Sequence, residues 1–178
     1  MFSFVLSAGC YSPVGSNKVI GTSPMFGLAL TSPIENQWIV ELAFKARIHS
    51  NSQPFQFRAL NKVNEVNSDL GFSYGFQLGY KIFDHNGIVI MPRFGLGGES
   101  IDTGLYIPAP TATDPNAREY IYVGTLHTSG GVALMKSIGG TKYLGAAVDF
   151  HYCPYELDPR LLTRFDDGAV SAEVFLRF

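Results

Sequence analysis

Leu70-Gly71-Phe72-Ser73-Tyr74-Gly75-Phe76-Gln77-Leu78-Gly79-Tyr80-Lys81-Ile82 alternates without a break between bulky apolar residues and small or polar ones. Successive side chains of an extended chain point to opposite faces, so this segment has one large apolar face and one face of glycine, serine, glutamine and lysine. A water-facing sheet surface carries Lys, Glu and Thr rather than a row of glycines, and glycine in a strand marks a place where something fits closely. The large face is therefore read as facing lipid, and the small face as lining a crowded interior.

Trp38–Ile48 repeats the pattern, with Trp38, Val40, Leu42, Phe44, Ala46 and Ile48 opposing Gln37, Ile39, Glu41, Ala43, Lys45 and Arg47. A lipid-facing row outside and a charged interior account for both sets. Both segments are long enough to cross a bilayer at a tilt. The fold class expected is all-β, an eight-stranded antiparallel up-and-down transmembrane β-barrel, with residues 1–178 forming a single domain.

Composition agrees with that reading. A length of 178 residues suits one domain. Charged residues make up 16% of the chain, against roughly 25% in soluble domains. There are 19 glycines and 13% aromatics, as a greasy exterior around a cramped interior requires. The net charge of -2, with no basic stripe interleaved with aromatics, gives no reason to expect nucleic acid. No run of about 18 uninterrupted apolar residues occurs, which excludes a helical span.

The opening Met1-Phe2-Ser3-Phe4-Val5-Leu6 lacks the basic start of a signal peptide and alternates like a strand. It is read as the first strand of a mature chain whose export signal has been removed, with Met1 an added initiator. Leu6-Ser7-Ala8-Gly9-Cys10 is similar to a lipoprotein cleavage site but lacks the basic and hydrophobic regions that precede one. Cys10 and Cys153 have no metal-ligand spacing, and both fall towards the outer rim, where a disulfide and two separate thiols are both open readings.

Eight strands are expected over 2–10, 23–31, 37–48, 70–82, 87–97, 119–135, 141–152 and 168–178. The gaps 32–36, 83–86 and 136–140 are short and built of turn-forming residues. Those at 11–22, 49–69, 98–118 and 153–167 are long, polar and rich in Pro, Asn, Ser and Asp. Short turns at one end and long loops at the other are the arrangement of an outer-membrane barrel, with both termini on the periplasmic side. The Pro108-Ala-Pro-Thr-Ala-Thr-Asp-Pro115 stretch reads as a mobile loop tip. Pro92 predicts a bulge or local pairing defect in the fifth strand; in the sixth, Thr128-Ser129-Gly130-Gly131 separates the two faces poorly, and a bulge near the glycines would shift the phase between Tyr120-Tyr122 and Val132-Leu134.

Polar parity places Glu41, Lys45, Arg47, Gln77, Lys81, Arg93, Glu99, Asp149, His151, Glu173 and Arg177 in the lumen. An eight-stranded barrel is only wide enough for side chains to fill it, so these charges must be paired or wet, and they are read as an ion-pair network that plugs it. Trp38, Tyr80 and Tyr143 are expected at the turn-end interface, and Tyr11, Tyr74, Tyr120, Tyr122 and Tyr152 at the loop-end interface. His49 and His85 stand alone. No phosphate loop, nucleotide fingerprint, cofactor motif or metal-ligand spacing is present, so no cofactor or metal is assigned.

The chain closes Val170-Ser-Ala-Glu-Val174-Phe-Leu176-Arg-Phe178. This resembles the C-terminal strand of small Gram-negative outer-membrane barrels of the OmpA-like and OmpX-like architecture. The resemblance implies an outer-membrane location, with Phe178, Leu176 and Val174 as the signal read by the assembly machinery. It also implies a monomer surrounded by outer-membrane lipid and lipopolysaccharide, with a surface or envelope protein as an unidentified partner for the long loops. His127-Thr128-Ser129 resembles the His-x-Ser element of lipid A deacylases, which would make His127 the base and Ser129 a lipid-facing nucleophile; the neighbouring strand offers no acid before Asp149. A narrow channel or small-ligand barrel, and a soluble lipocalin-like barrel with the apolar face inward, are the remaining alternatives.

Overall fold

Alternation of side-chain size along the sequence becomes alternation of exposure in the computed structural model, which describes residues 2–17, 19–34, 37–109 and 117–178. Its strands are β1 (Ser3–Pro13), β2 (Ser23–Pro33), β3 (Trp38–Ile48), β4 (Phe55–Ala59), β5 (Lys62–Val66), β6 (Leu70–Tyr80), β7 (Phe83–His85), β8 (Ile88–Pro108), β9 (Arg118–Gly139), β10 (Lys142–Tyr152) and β11 (Gly168–Arg177). Eight of them, β1, β2, β3, β6, β8, β9, β10 and β11, pair antiparallel in sequence order, and β11 returns to β1 to close the barrel. At the seam Phe4 and Phe178 exchange backbone hydrogen bonds of 2.8 and 3.0 Å.

In every barrel strand the even-numbered residues point out and the odd-numbered residues point in. Phe44, Phe76, Leu78, Phe94, Leu134, Val148 and Val174 are exposed on the outside, while Arg47, Gln77, Arg93, Asp149 and Glu173 are buried within. A continuous exposed apolar band is what lipid requires and water opposes, so the lipocalin-like orientation is excluded. Phe72, Tyr74 and Phe76 lie on the outer face beside Ala46, Phe44 and Leu42 of β3.

The inward glycines leave room for specific neighbours. A Cβ on Gly79 would meet the Met91 side chain, one on Gly145 the Phe175 ring, and one on Gly71 the side chains of Arg47 and His49. Gly75 and Gly97 face one another across β6 and β8, where a Cβ on either would run into the partner strand's backbone. The small face thus exists because an eight-stranded barrel cannot hold a large side chain at every inward position.

Several expectations need correction. No bulge occurs at Gly130-Gly131, since β9 and β10 stay in register there. The shifts fall instead between Lys142 and Tyr143 and between Asp102 and Tyr106. The defect at Pro92 is real on one side: pairing of β8 with β6 stops at Arg93 and resumes with β7 at Ile90, while β9 pairs through Pro92 without interruption. Tyr11 and Tyr143 point inward and are not interface aromatics, because β1 continues past residue 10 and both positions carry the inward parity. Lys81 lies past the end of β6, 3.3 Å from Asp84 of β7, and is not part of the lumen network. Cys10 is exposed on the outer face and Cys153 is buried, both as free thiols.

The largest correction concerns the long connections, which are not irregular polar loops. Residues 55–66 form the β4–β5 hairpin, and β8 and β9 run on beyond the barrel as a paired extension to Pro108 and Arg118. The part of the expected mobile tip at 110–115 lies outside the described residues. Backbone hydrogen bonds tie the connections together, with Gln53 donating to Val19 at 2.7 Å, Arg58 to Arg160 at 2.8 Å and Leu162 to Gln56 at 2.9 Å. Beneath them Val19, Ile20, Phe55, Phe57, Val66, Ile101, Val123, Tyr155 and Phe165 form a hydrophobic core of their own. The loop end therefore carries a folded cap.

Candidate functional site

The lumen is layered. At the turn end it is apolar, with Val5, Ile39, Val89, Met91, Met135 and Phe175 packed into a floor. Arg177 stands level with Val5 in this floor, and with Glu41, Lys45, Arg93 and Glu173 it lines a cavity of ≈ 20 Å³, room for about one water. Ile39 holds the inward place that parity gave it, and Val5, Val89, Met91, Met135 and Phe175 share it, so the turn end of the lumen is mostly apolar.

Four charges span the middle layer. Arg93 Nε donates to Asp149 Oδ1 at 2.8 Å, Arg93 Nη2 donates to Asp149 Oδ2, and the same Nη2 reaches Glu173 Oε1 at 2.5 Å. Lys45 Nζ donates to both Glu173 oxygens at 2.9 Å. The two cations and two carboxylates come from β3, β8, β10 and β11, so the network ties opposite walls together. Paired charges of this kind hold one another in place, whereas one left alone would be prohibitively costly to bury.

The upper layer lies beneath the cap. Arg47, 1% exposed, sits 2.6 Å from Glu99 Oε1 and 4.1 Å above the Tyr11 ring. Its contact with Glu99 is an oblique ion pair rather than a straight hydrogen bond, and its guanidinium nitrogens have no hydrogen-bond partner among the described residues. Glu99 Oε1 also accepts the Tyr155 hydroxyl, and Glu99 Oε2 accepts the Cys153 thiol at 3.2 Å. Burial, then the Glu99 carboxylate, pushes the Cys153 thiol up, which keeps it protonated here. His49, just beyond β3, shares a hydrogen bond of 2.9 Å with Ser68; burial, then the Arg47 charge, lowers it to about 4.

His127 and His151 stack with ring centroids 5.1 Å apart, and His127 Nε2 lies 2.8 Å from His151 Nδ1. His151 Nε2 in turn lies 2.7 Å from Ser171 Oγ. Ser129 also faces the interior and is 6% exposed. The His-x-Ser element therefore points into the lumen and away from lipid, and the hydroxyl that His151 engages is that of Ser171. Glu99, His127 and Cys153 each place one ligand-type atom within 4.8 Å of the others. No local motif reveals this cluster, because its members come from three segments.

Of the residues singled out from sequence, Lys45, Arg93, Asp149 and Glu173 form one network, Arg47 and Glu99 a second, and His151 joins His127 between them. Glu41 and Arg177 line the lower cavity without an ion pair among the described residues. Tyr11, Tyr155, Cys153 and Ser171 complete the upper layer and were not foreseen there. Val174, Leu176 and Phe178 are exposed on the outer face, with the Phe178 ring 6.4 Å from that of Phe4.

No protein-family model and no curated protein matches the chain. Solved structures do match it in fold. Neisserial surface protein A (NspA) superposes with a TM-score of 0.60 at 13% identity, over 99% of this chain and 95% of that one. A major outer membrane protein of Thermus thermophilus gives a TM-score of 0.55 at 12% identity over 100% of both chains. The N-terminal β-barrel domain of Pseudomonas aeruginosa OprF gives 0.50 at 12% identity, over 99% of this chain and 96% of that one. The fold is thus that of small outer-membrane β-barrels.

Proposed function

We propose that this chain is a bacterial outer-membrane barrel with a closed lumen that offers its folded cap as an interaction surface outside the cell. The observation that carries this reading is the cap's own hydrophobic core, which makes a fixed platform of the long connections. Between the β4–β5 turn and the β8–β9 extension lies a groove of ≈ 460 Å³ whose walls include Arg58, Leu60, Tyr120, Tyr122 and Arg160. Arginine beside tyrosine is the composition enriched where binding energy concentrates. The fold likeness to a surface protein and to two outer-membrane proteins supports the placement.

On this reading outer-membrane lipid and lipopolysaccharide surround the apolar band, and the assembly machinery reads Val174, Leu176 and Phe178. A surface or envelope protein engages the cap. The charged middle layer above the apolar floor closes the lumen to ions.

Cells displaying the intact barrel, or a variant with 55–66 replaced by a short turn, would be compared for adhesion to matrix proteins, host cells and one another. Adhesion lost with the hairpin supports the reading, and adhesion indifferent to it overturns the role of the cap. A large steady conductance from folded monomers in planar bilayers would overturn the closed lumen. Incubation with lipopolysaccharide, followed by mass spectrometry of released fatty acid, tests the esterase alternative. Release abolished by Ser129→Ala would establish that activity in place of the binding role.

A further inference from the structure

We infer that Glu99, His127 and Cys153 form a binding site for a zinc-type divalent ion beneath the cap. Carboxylate, imidazole and thiolate are together a zinc donor set, and three protein ligands leave a fourth position for water. The ligand-type atoms already lie within 4.8 Å of one another, and Cys153 Sγ is 3.2 Å from Glu99 Oε2.

The surroundings leave the correct atoms free. The Arg47 ion pair and the Tyr155 hydroxyl occupy Glu99 Oε1, so Oε2 is held by the thiol proton alone. His127 Nε2 is engaged with His151, which leans on Ser171, and His127 Nδ1 has no partner among the described residues. A His127 that donates from Nε2 presents an unprotonated Nδ1, the tautomer a metal needs, and the His151–Ser171 pair fixes it as outer partners of metal-bound histidines do. On binding, the ion displaces the thiol proton, which leaves to solvent, and takes the proton's place between Sγ and Oε2. Among divalent ions the thiolate sets the choice, because it supplies soft donation that zinc accepts and calcium or magnesium does not. The site also gives a buried thiol on the oxidising side of a cell a reason to stay unpaired.

Folded protein in detergent, and protein refolded with the metal present, would be titrated with Co²⁺ and then Zn²⁺. The expected result is a thiolate-to-cobalt charge-transfer band with the visible bands of tetrahedral Co²⁺, saturating at one ion per chain and displaced by Zn²⁺. Cys153→Ser and His127→Gln should each weaken binding at least tenfold, while Cys10→Ser should leave it unchanged. Absence of the band in folded wild type by either route overturns the inference. So does a band that survives both Cys153→Ser and His127→Gln or disappears in Cys10→Ser. Heat-modifiable gel mobility checks folding of each variant, and if a site variant fails to fold, the wild-type and Cys10→Ser spectra still decide.

Discussion

Arg93 and Asp149 form a two-point ion pair although their strands, β8 and β10, are never neighbours. Gly131 on β9 lies directly between them in register, and a Cβ there would strike Asp149 and the Val148 carbonyl. The absent side chain is what lets a guanidinium cross over an entire strand. An ordinary cross-strand pair joins adjacent strands; this one staples three.

Arg93→Met should therefore destabilise the barrel by about 3–5 kcal/mol, because it strands Asp149 and removes one partner of Glu173. Urea unfolding in micelles would measure the loss. Arg93→Met combined with Asp149→Leu should recover part of it, since no lone carboxylate then remains opposite. A single variant as mild as a surface change would refute the stapling role.

Phe57 is fully buried in the cap, against Phe55 and beneath the Arg160 guanidinium 5.1 Å away. Phe57→Ala should cost about 3–5 kcal/mol of local stability. Hydrogen exchange over 55–66 and 155–165 is expected to accelerate sharply while β10 and β11 keep their protection. Equal acceleration everywhere would mean that cap and barrel unfold as one unit.

Stability should fall as pH drops from neutral towards 4, through His49. Its folded pKa of about 4 lies below the ordinary 6.5, so between those values the unfolded chain binds the extra proton and unfolding is favoured. The full effect is at most about 3 kcal/mol, present above pH 6.5 and exhausted below 4. His49→Phe should flatten that part of the pH profile of urea unfolding; an unchanged slope would assign the dependence to other groups.

Leu60 adopts φ 54° and Asn61 φ 60° in the β4–β5 turn. A left-handed conformation costs an ordinary L-residue roughly 1–2 kcal/mol, and Asn tolerates it better. Leu60 is 61% exposed, so little packing is at stake. Leu60→Asn should therefore slow exchange of the hairpin amides, corresponding to about 1 kcal/mol of added local stability. Faster exchange would show that the leucine serves the groove.

The same residue explains why the cap escaped the sequence reading. Phe55-Gln56-Phe57-Arg58-Ala59 alternates, but it is short and its turn is Leu60-Asn61 rather than the Asn-Gly that signals a hairpin. The barrel faces were legible because Phe72 through Tyr80 and Trp38 through Ile48 keep one period over a bilayer's thickness. Arg93, Asp149 and Glu173 could be placed inside by parity alone, yet their pairing depends on register around a closed sheet, which no single strand encodes. Tyr11 was misplaced for want of three residues of strand. The Glu99, His127 and Cys153 cluster draws on three segments and leaves no local trace.

The exchange of hydrogen bonds between Phe4 and Phe178 makes the two ends of the chain partners in one seam. Until β11 reaches β1, every partly built form is a curled sheet with two raw edges, each able to pair with another copy of the same chain. The strand made first waits longest for its neighbour. The passage from nascent chain to finished molecule is thus a race between an intramolecular join and an intermolecular one, and anything that shields the β1 edge in the interval decides the winner.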